Sequence, residues 1–124
     1  MVREIEATVA AIGWSRATIE QFIGEYLTEP KAQVWFDAPQ RVVSFARFLT
    51  HARSRGVRLA AATRMLFRGD RLFVNGECVR MSGTARAPLI ALADDRAALP
   101  WRSRSAQAAR QLYQWYRAGY VELV

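Results

Sequence analysis

Several residue types are nearly missing from this 124-residue chain, and each shortage excludes a kind of protein. A single cysteine, Cys78, rules out an internal disulfide framework, and its place among strand-forming residues makes it a half-buried structural thiol. A single histidine, His51, has no His, Cys, Asp or Glu at the i+3 or i+4 spacing of a helical metal pair, and no nucleophile and base stand in a pattern around it. No apolar run reaches the ~18 residues of a membrane span. The opening Met-Val-Arg-Glu-Ile-Glu lacks the apolar core of a signal peptide, so a cytoplasmic protein is expected, with no membrane partner. Lysine is also scarce: seventeen of the eighteen basic residues are arginine. The seven glycines are scattered as turn and cap residues and form no phosphate-binding loop.

What remains is enough for a core. Hydrophobic residues make up 52% of the chain and charged residues 23%, the balance of a folded globular domain able to bury roughly two-thirds of its unfolded surface. Charge is unevenly placed. Residues 1–40 carry three basic and six acidic side chains, whereas residues 41–124 carry fifteen arginines against five acidic ones. An acidic front and a basic back imply two surfaces with different partners.

Apolar spacing predicts a first helix near 2–12 from Ile5, Val9 and Ile12, and a second that Ser15 caps and Pro30 stops. The second carries a broad stripe of Ile19, Phe22, Ile23, Tyr26 and Leu27. Val34-Trp35-Phe36 reads as a short extended piece, closed by a turn at Asp37-Ala38-Pro39. A third helix is predicted near 41–54, with Phe45, Phe48, Leu49 and Ala52 on one face, ending at Gly56. Residues 57–63 then lead into a meander of three strands near 64–68, 71–74 and 77–81. Asn75-Gly76 suits a type I′ hairpin turn, and Arg68-Gly69-Asp70-Arg71 makes a second reversal. The tripeptide Arg68-Gly69-Asp70 is thus a turn rather than an adhesion motif. A helix carrying Leu89, Ile90, Leu92 and Ala93 follows, with Pro88 in its first turn. Asp94-Asp95 diverge by ~100° on a helix and share no substrate. A short helical turn is predicted at 96–99, then a last helix to about Ala118, with Gly119 ending it and a final strand over 120–124. The architecture is α+β: an N-terminal helical segment, 1–56, and a second unit, 57–124, built on the meander.

Two strings carry a family resemblance. Arg71-Leu-Phe-Val-Asn-Gly-Glu77 resembles the strand-turn-strand signature in the winged-helix region of bacterial JmjC-type (cupin-4) ribosomal oxygenases. Gly24-Glu-Tyr-Leu-Thr-Glu-Pro-Lys31, followed by Val34-Trp35-Phe36, is similar to the segment after the catalytic barrel in the same family. The resemblance implies a winged-helix-like domain behind helical dimerisation elements. Through Gly24 to Lys31 it also implies a homodimer, with Ile19, Phe22, Ile23, Tyr26 and Trp35 of the front stripe as the self-association surface; packing of these side chains into the chain's own core is the equal alternative. The family uses Fe(II) and 2-oxoglutarate to hydroxylate a ribosomal protein, but its iron site needs an HxD dyad and a distant second histidine. With only His51, this chain is expected to hold no cofactor or metal and to be no enzyme alone; the dioxygenase and its ribosomal-protein substrate would belong to a longer parent.

A second reading is a free-standing winged-helix protein that binds DNA or RNA. In the last helix Gln107, Arg110, Gln114 and Arg117 fall on one face, opposite Ala108, Ala109, Leu112, Trp115 and Tyr116, and Arg102 and Arg104 lie just upstream. Arginine and glutamine suit base edges and phosphates. The same spacing also describes a solvated face of a core helix, and that reading is preferred. Coding sequence upstream of Met1 with HxD and a distal histidine would decide for the oxygenase.

Overall fold

The computed structural model describes residues 15–30 and 36–124. The helix expected near 2–12, and Trp14, Lys31, Val34 and Trp35, lie outside the described residues.

Helix α1, Arg16–Thr28, begins where the Ser15 hydroxyl accepts from the Thr18 N–H at 3.1 Å and stops two residues before Pro30. Helix α2, Phe45–Ser54, starts about four residues later than its apolar spacing suggests. Tertiary hydrogen bonds decide this: the Tyr113 hydroxyl donates to Val43 O at 2.7 Å, and the Val43 N–H donates to the Tyr116 hydroxyl at 3.3 Å. Residues 41–43 therefore run extended, and Ser44 caps the helix instead, its hydroxyl accepting from the Arg47 N–H at 3.2 Å.

Two predicted connections prove to be strands. Residues Val57–Leu59, expected to lead into the meander, form β1, the middle strand of a separate sheet. Residues 96–99, expected as a helical turn, instead supply another edge of that sheet. Helix α3, Arg86–Asp95, follows a 3-10 turn at Gly83–Ala85 and is ended by Arg96 in the left-handed conformation, φ 59°. The Arg96 guanidinium holds that bend by donating to Thr63 O and Ala60 O, each at 2.9 Å. The chain then leaves extended, and Ala97–Ala98 pairs antiparallel with Val57 and Arg58.

The meander matches its prediction: β2, Met65–Arg68; β3, Arg71–Val74; and β4, Glu77–Arg80, in antiparallel order. Asn75 and Gly76 both have positive φ, 48° and 87°, as a type I′ turn requires. With Ala97–Ala98 as β5, helix α4 spans Ala106–Ala118 between a Ser105 cap and left-handed Gly119, and β6, Val121–Leu123, pairs with β1 along Val57↔Leu123 to Leu59↔Val121.

One core joins these parts. Phe48 and Ala52 of α2, Leu89 and Leu92 of α3, and Leu112, Trp115 and Tyr116 of α4 pack with Val57, Val121 and the inward residues Leu72 and Val74 of the meander. Side chains alternate across a strand, so Leu66, Phe73 and Cys78, paired in register, lie on the opposite face, where α1 docks. The three helices α2, α3 and α4 around the β5-β1-β6 sheet make an α+β winged-helix fold.

Candidate interaction surfaces

Helix α1 carries the first surface. It sits close on the meander because Gly24 has no side chain: a Cβ there would lie 2.5 Å from the Phe73 ring. Thr28 anchors its end, its hydroxyl donating to Gly24 O and accepting from the Gly76 N–H, both at 2.9 Å. Glu20 meets Arg68 at 2.9 Å and Arg16 at 3.4 Å, and Arg71 donates to Ala17 O at 2.7 Å. These ties settle which side of the stripe is covered. Ile19 is buried and Ile23 half-buried against the sheet, whereas Phe22 and Tyr26 keep 50% and 58% of their surface exposed. Leu27, exposed likewise, lines a groove of about 240 Å³ with Ile23, Leu66 and Phe67. Leu66 and Phe67 were not legible as members of this surface, since nothing in the meander's own pattern says that α1 leaves them uncovered.

Helix α4 carries the second surface. Arg102, Arg104, Gln107, Arg110, Gln114 and Arg117 are all exposed, and Ala108, Ala109, Leu112, Trp115 and Tyr116 are all buried. The two faces of this helix fall as the spacing predicts. The polar residues do not form one continuous ridge, however. Gln107, Arg110 and Gln114 line a cleft of about 360 Å³ with Val79, Arg80 and Met81, and the Arg110 guanidinium stands 6.0 Å from the Phe45 ring. Arg102 and Arg104 line a different cleft with Arg53 and Trp101. Arg53 joins them because the Trp101 N–H donates to Ala52 O at 3.0 Å, a link between segments that sequence spacing does not reveal.

The remaining polar residues are plainly structural. One ring nitrogen of His51, Nε2, lies 2.7 Å from Val124 O. Asp94 and Asp95 are exposed at the end of α3. Burial pushes the Cys78 thiol up, a shift that Arg71 and Arg80 oppose and Glu25 and Asp70 reinforce, so the group is held as the less reactive neutral form. Among the described residues no three His, Cys, Asp or Glu side chains cluster as metal ligands would. Nor is any described helix long and apolar enough to cross a membrane.

A small sheet, three core helices and an outward polar face on the last of them define a winged-helix protein, and residues 11–122 match the family of ROXA-like winged helices. The chain belongs to that family. Among solved structures it is similar to the Escherichia coli ribosomal oxygenase YcfD, at 20% identity and a TM-score of 0.76, over 96% of this chain and 34% of that one. It is similar also to YcfD in complex with cobalt and 2-oxoglutarate, at 18% identity and a TM-score of 0.77, over 97% and 34% of the two chains. At such identities the likeness is one of fold. The chain thus spans about a third of the length of the structures it matches. No curated protein matches it in sequence. The resemblance carried by Arg71 to Glu77 and by Gly24 to Lys31 is borne out for the winged-helix region.

Proposed function

We propose that this chain is the non-catalytic assembly region of a larger 2-oxoglutarate- and Fe(II)-dependent oxygenase of the cytoplasm that acts on a ribosomal protein, and that it holds two copies of that enzyme together. The observation that carries the reading is the apolar surface of α1 and β2, in a chain that matches a third of a ribosomal oxygenase along nearly its whole length. Tyr26, Leu27, Leu66 and Phe67 stay exposed although the chain has a well-formed core to bury such residues in. An exposed apolar face of this kind is what a partner covers. A second copy satisfies it economically, because a two-fold pairing sets the same patch against itself. Fe(II) and 2-oxoglutarate belong, on this reading, to the rest of the enzyme: a facial triad needs two histidines and a carboxylate, and this chain offers His51 alone.

Sedimentation equilibrium tests the pairing. The unmodified chain is expected to be a dimer, and Leu27→Asp, which places a charge twice in a two-fold interface, to be a folded monomer. A monomeric parent chain, or a Leu27→Asp variant that still dimerises, would reject the α1 face as the contact.

The alternative, sequence-specific binding of DNA or RNA through α4, finds less support in the setting of that helix. Base-edge readout needs a helix that enters a groove ~12 Å wide, whereas Gln107, Arg110 and Gln114 share a cleft with β4 and Arg110 leans on Phe45.

A further inference from the structure

Several arginines among the described residues are committed to partners. Arg58 pairs with Glu122 and Arg68 with Glu20, both at 2.9 Å, while Arg71, Arg86 and Arg96 donate to backbone carbonyls. Arg53, Arg102 and Arg104 make no ion pair among the described residues, yet they line one cleft of about 570 Å³ together with Trp101. Among the described residues no carboxylate lines it. Three like charges placed in one concavity repel one another, and their natural complement is an anion.

Trp101 belongs to the lining of the same cleft. Trp101 is 2% exposed, its backbone is tied to Ala52 O, and its indole Nε1 is buried without a hydrogen-bond partner among the described residues. A buried donor of that kind is uncommon, and its place beside the three arginines makes it a reporter of what enters the cleft. The first turn of α4 does not account for it, since the Ser105 hydroxyl already caps Ala108 N at 3.2 Å and the Ser105 N–H is taken by Ser103 Oγ at 3.1 Å. Guanidiniums bind phosphate through paired N–H donors, a geometry that lysine does not offer.

We propose that the cleft of Arg53, Trp101, Arg102 and Arg104 is a phosphate-binding site. The recognised chemistry is the phosphate oxyanion, whether it is a free phosphate or the backbone of a single-stranded RNA. The site does not depend on the pairing of two copies through α1, which lies on the outer face of the meander.

The test uses the whole chain, labelled with nitrogen-15, and follows the Trp101 indole N–H resonance, assigned by its loss in Trp101→Phe. Inorganic phosphate is titrated in one arm and a short homopolymeric RNA in the other, each against the parent chain, Arg53→Ala, the double variant Arg102→Ala with Arg104→Ala, and Arg117→Ala. The arginines are exposed, so these variants keep the fold, which the rest of the spectrum verifies. The Trp101 resonance should move on binding, and both cleft variants should weaken it, while Arg117→Ala, outside the cleft, should not. For RNA, the dependence of log Kd on log salt should flatten by about one for each cleft arginine removed. A response to both ligands identifies a site for phosphate itself, and a response to RNA alone identifies the backbone as the ligand. An unmoved Trp101 resonance in both arms, or binding that Arg117→Ala weakens as much as the cleft variants do, would overturn the proposal.

Discussion

Phe48→Ala should lower the unfolding free energy by about 3–5 kcal/mol, the usual cost of emptying a buried phenylalanine site. That is a large share of the ~5–15 kcal/mol that holds a domain of this size together. Phe48 has no exposed surface, and its ring lies 5.4 Å from that of Tyr113 and 4.9 Å from that of Tyr116. Those two tyrosines are the residues whose hydroxyls hold residues 41–43 extended, so the cavity would also loosen the approach to α2. Urea unfolding should show a lower midpoint at an unchanged slope. A loss under about 1 kcal/mol would mean that the surroundings collapse to fill the site, contrary to the close packing of α2 on α4.

Gly24→Val should release α1 from the meander while leaving the rest of the chain folded. The added Cβ meets three atoms of the Phe73 ring at 2.5–2.6 Å. That ring is 3% exposed and stands between Leu66 and Cys78 in the cross-strand register, so it has little room to turn aside. Overpacking of this order costs about 1–3 kcal/mol. The ties along α1 through Thr28 and Glu20 are too few to resist it. Amide hydrogen exchange should rise over 16–28 and at Gly76, whose N–H loses the Thr28 hydroxyl, while α4 stays protected. Unchanged protection along α1 would show that the helix tolerates the side chain and that its contact with Phe73 is looser than the geometry indicates.

What was legible in the sequence was what neighbouring residues decide among themselves. Asn75-Gly76 specifies its turn because both residues accept positive φ, Ser15 caps the helix it precedes, and α4 separates its faces by spacing alone. Strands β1 and β5 escaped because Val-Arg-Leu and Ala-Ala are too short to show a period, and their partners lie far along the chain. The start of α2 escaped for a similar reason, since two distant tyrosine hydroxyls compete for its first carbonyl and amide. At the surfaces, spacing told polar from apolar on α4 but could not tell which half of the α1 stripe a sheet would cover. Nor could it bring Arg53 beside Arg102, a neighbourhood made by one backbone bond between Ala52 and Trp101.

The middle position of β1 has a consequence for the order in which a nascent chain assembles. The meander is complete once residues 65–80 have emerged, but β1 gains its second neighbour only with β6, where Arg58 meets Glu122 across 64 residues of sequence. Closing so long a loop is entropically dearer and slower than folding adjacent hairpins. During synthesis, then, the wing-like hairpins are expected to close first, with one edge of Val57–Leu59 left open until residues 121–123 arrive. Pulse-labelling of refolding molecules should protect the amides of residues 72–79 before those of residues 57–59, and simultaneous protection would show that the two sheets form in one concerted step.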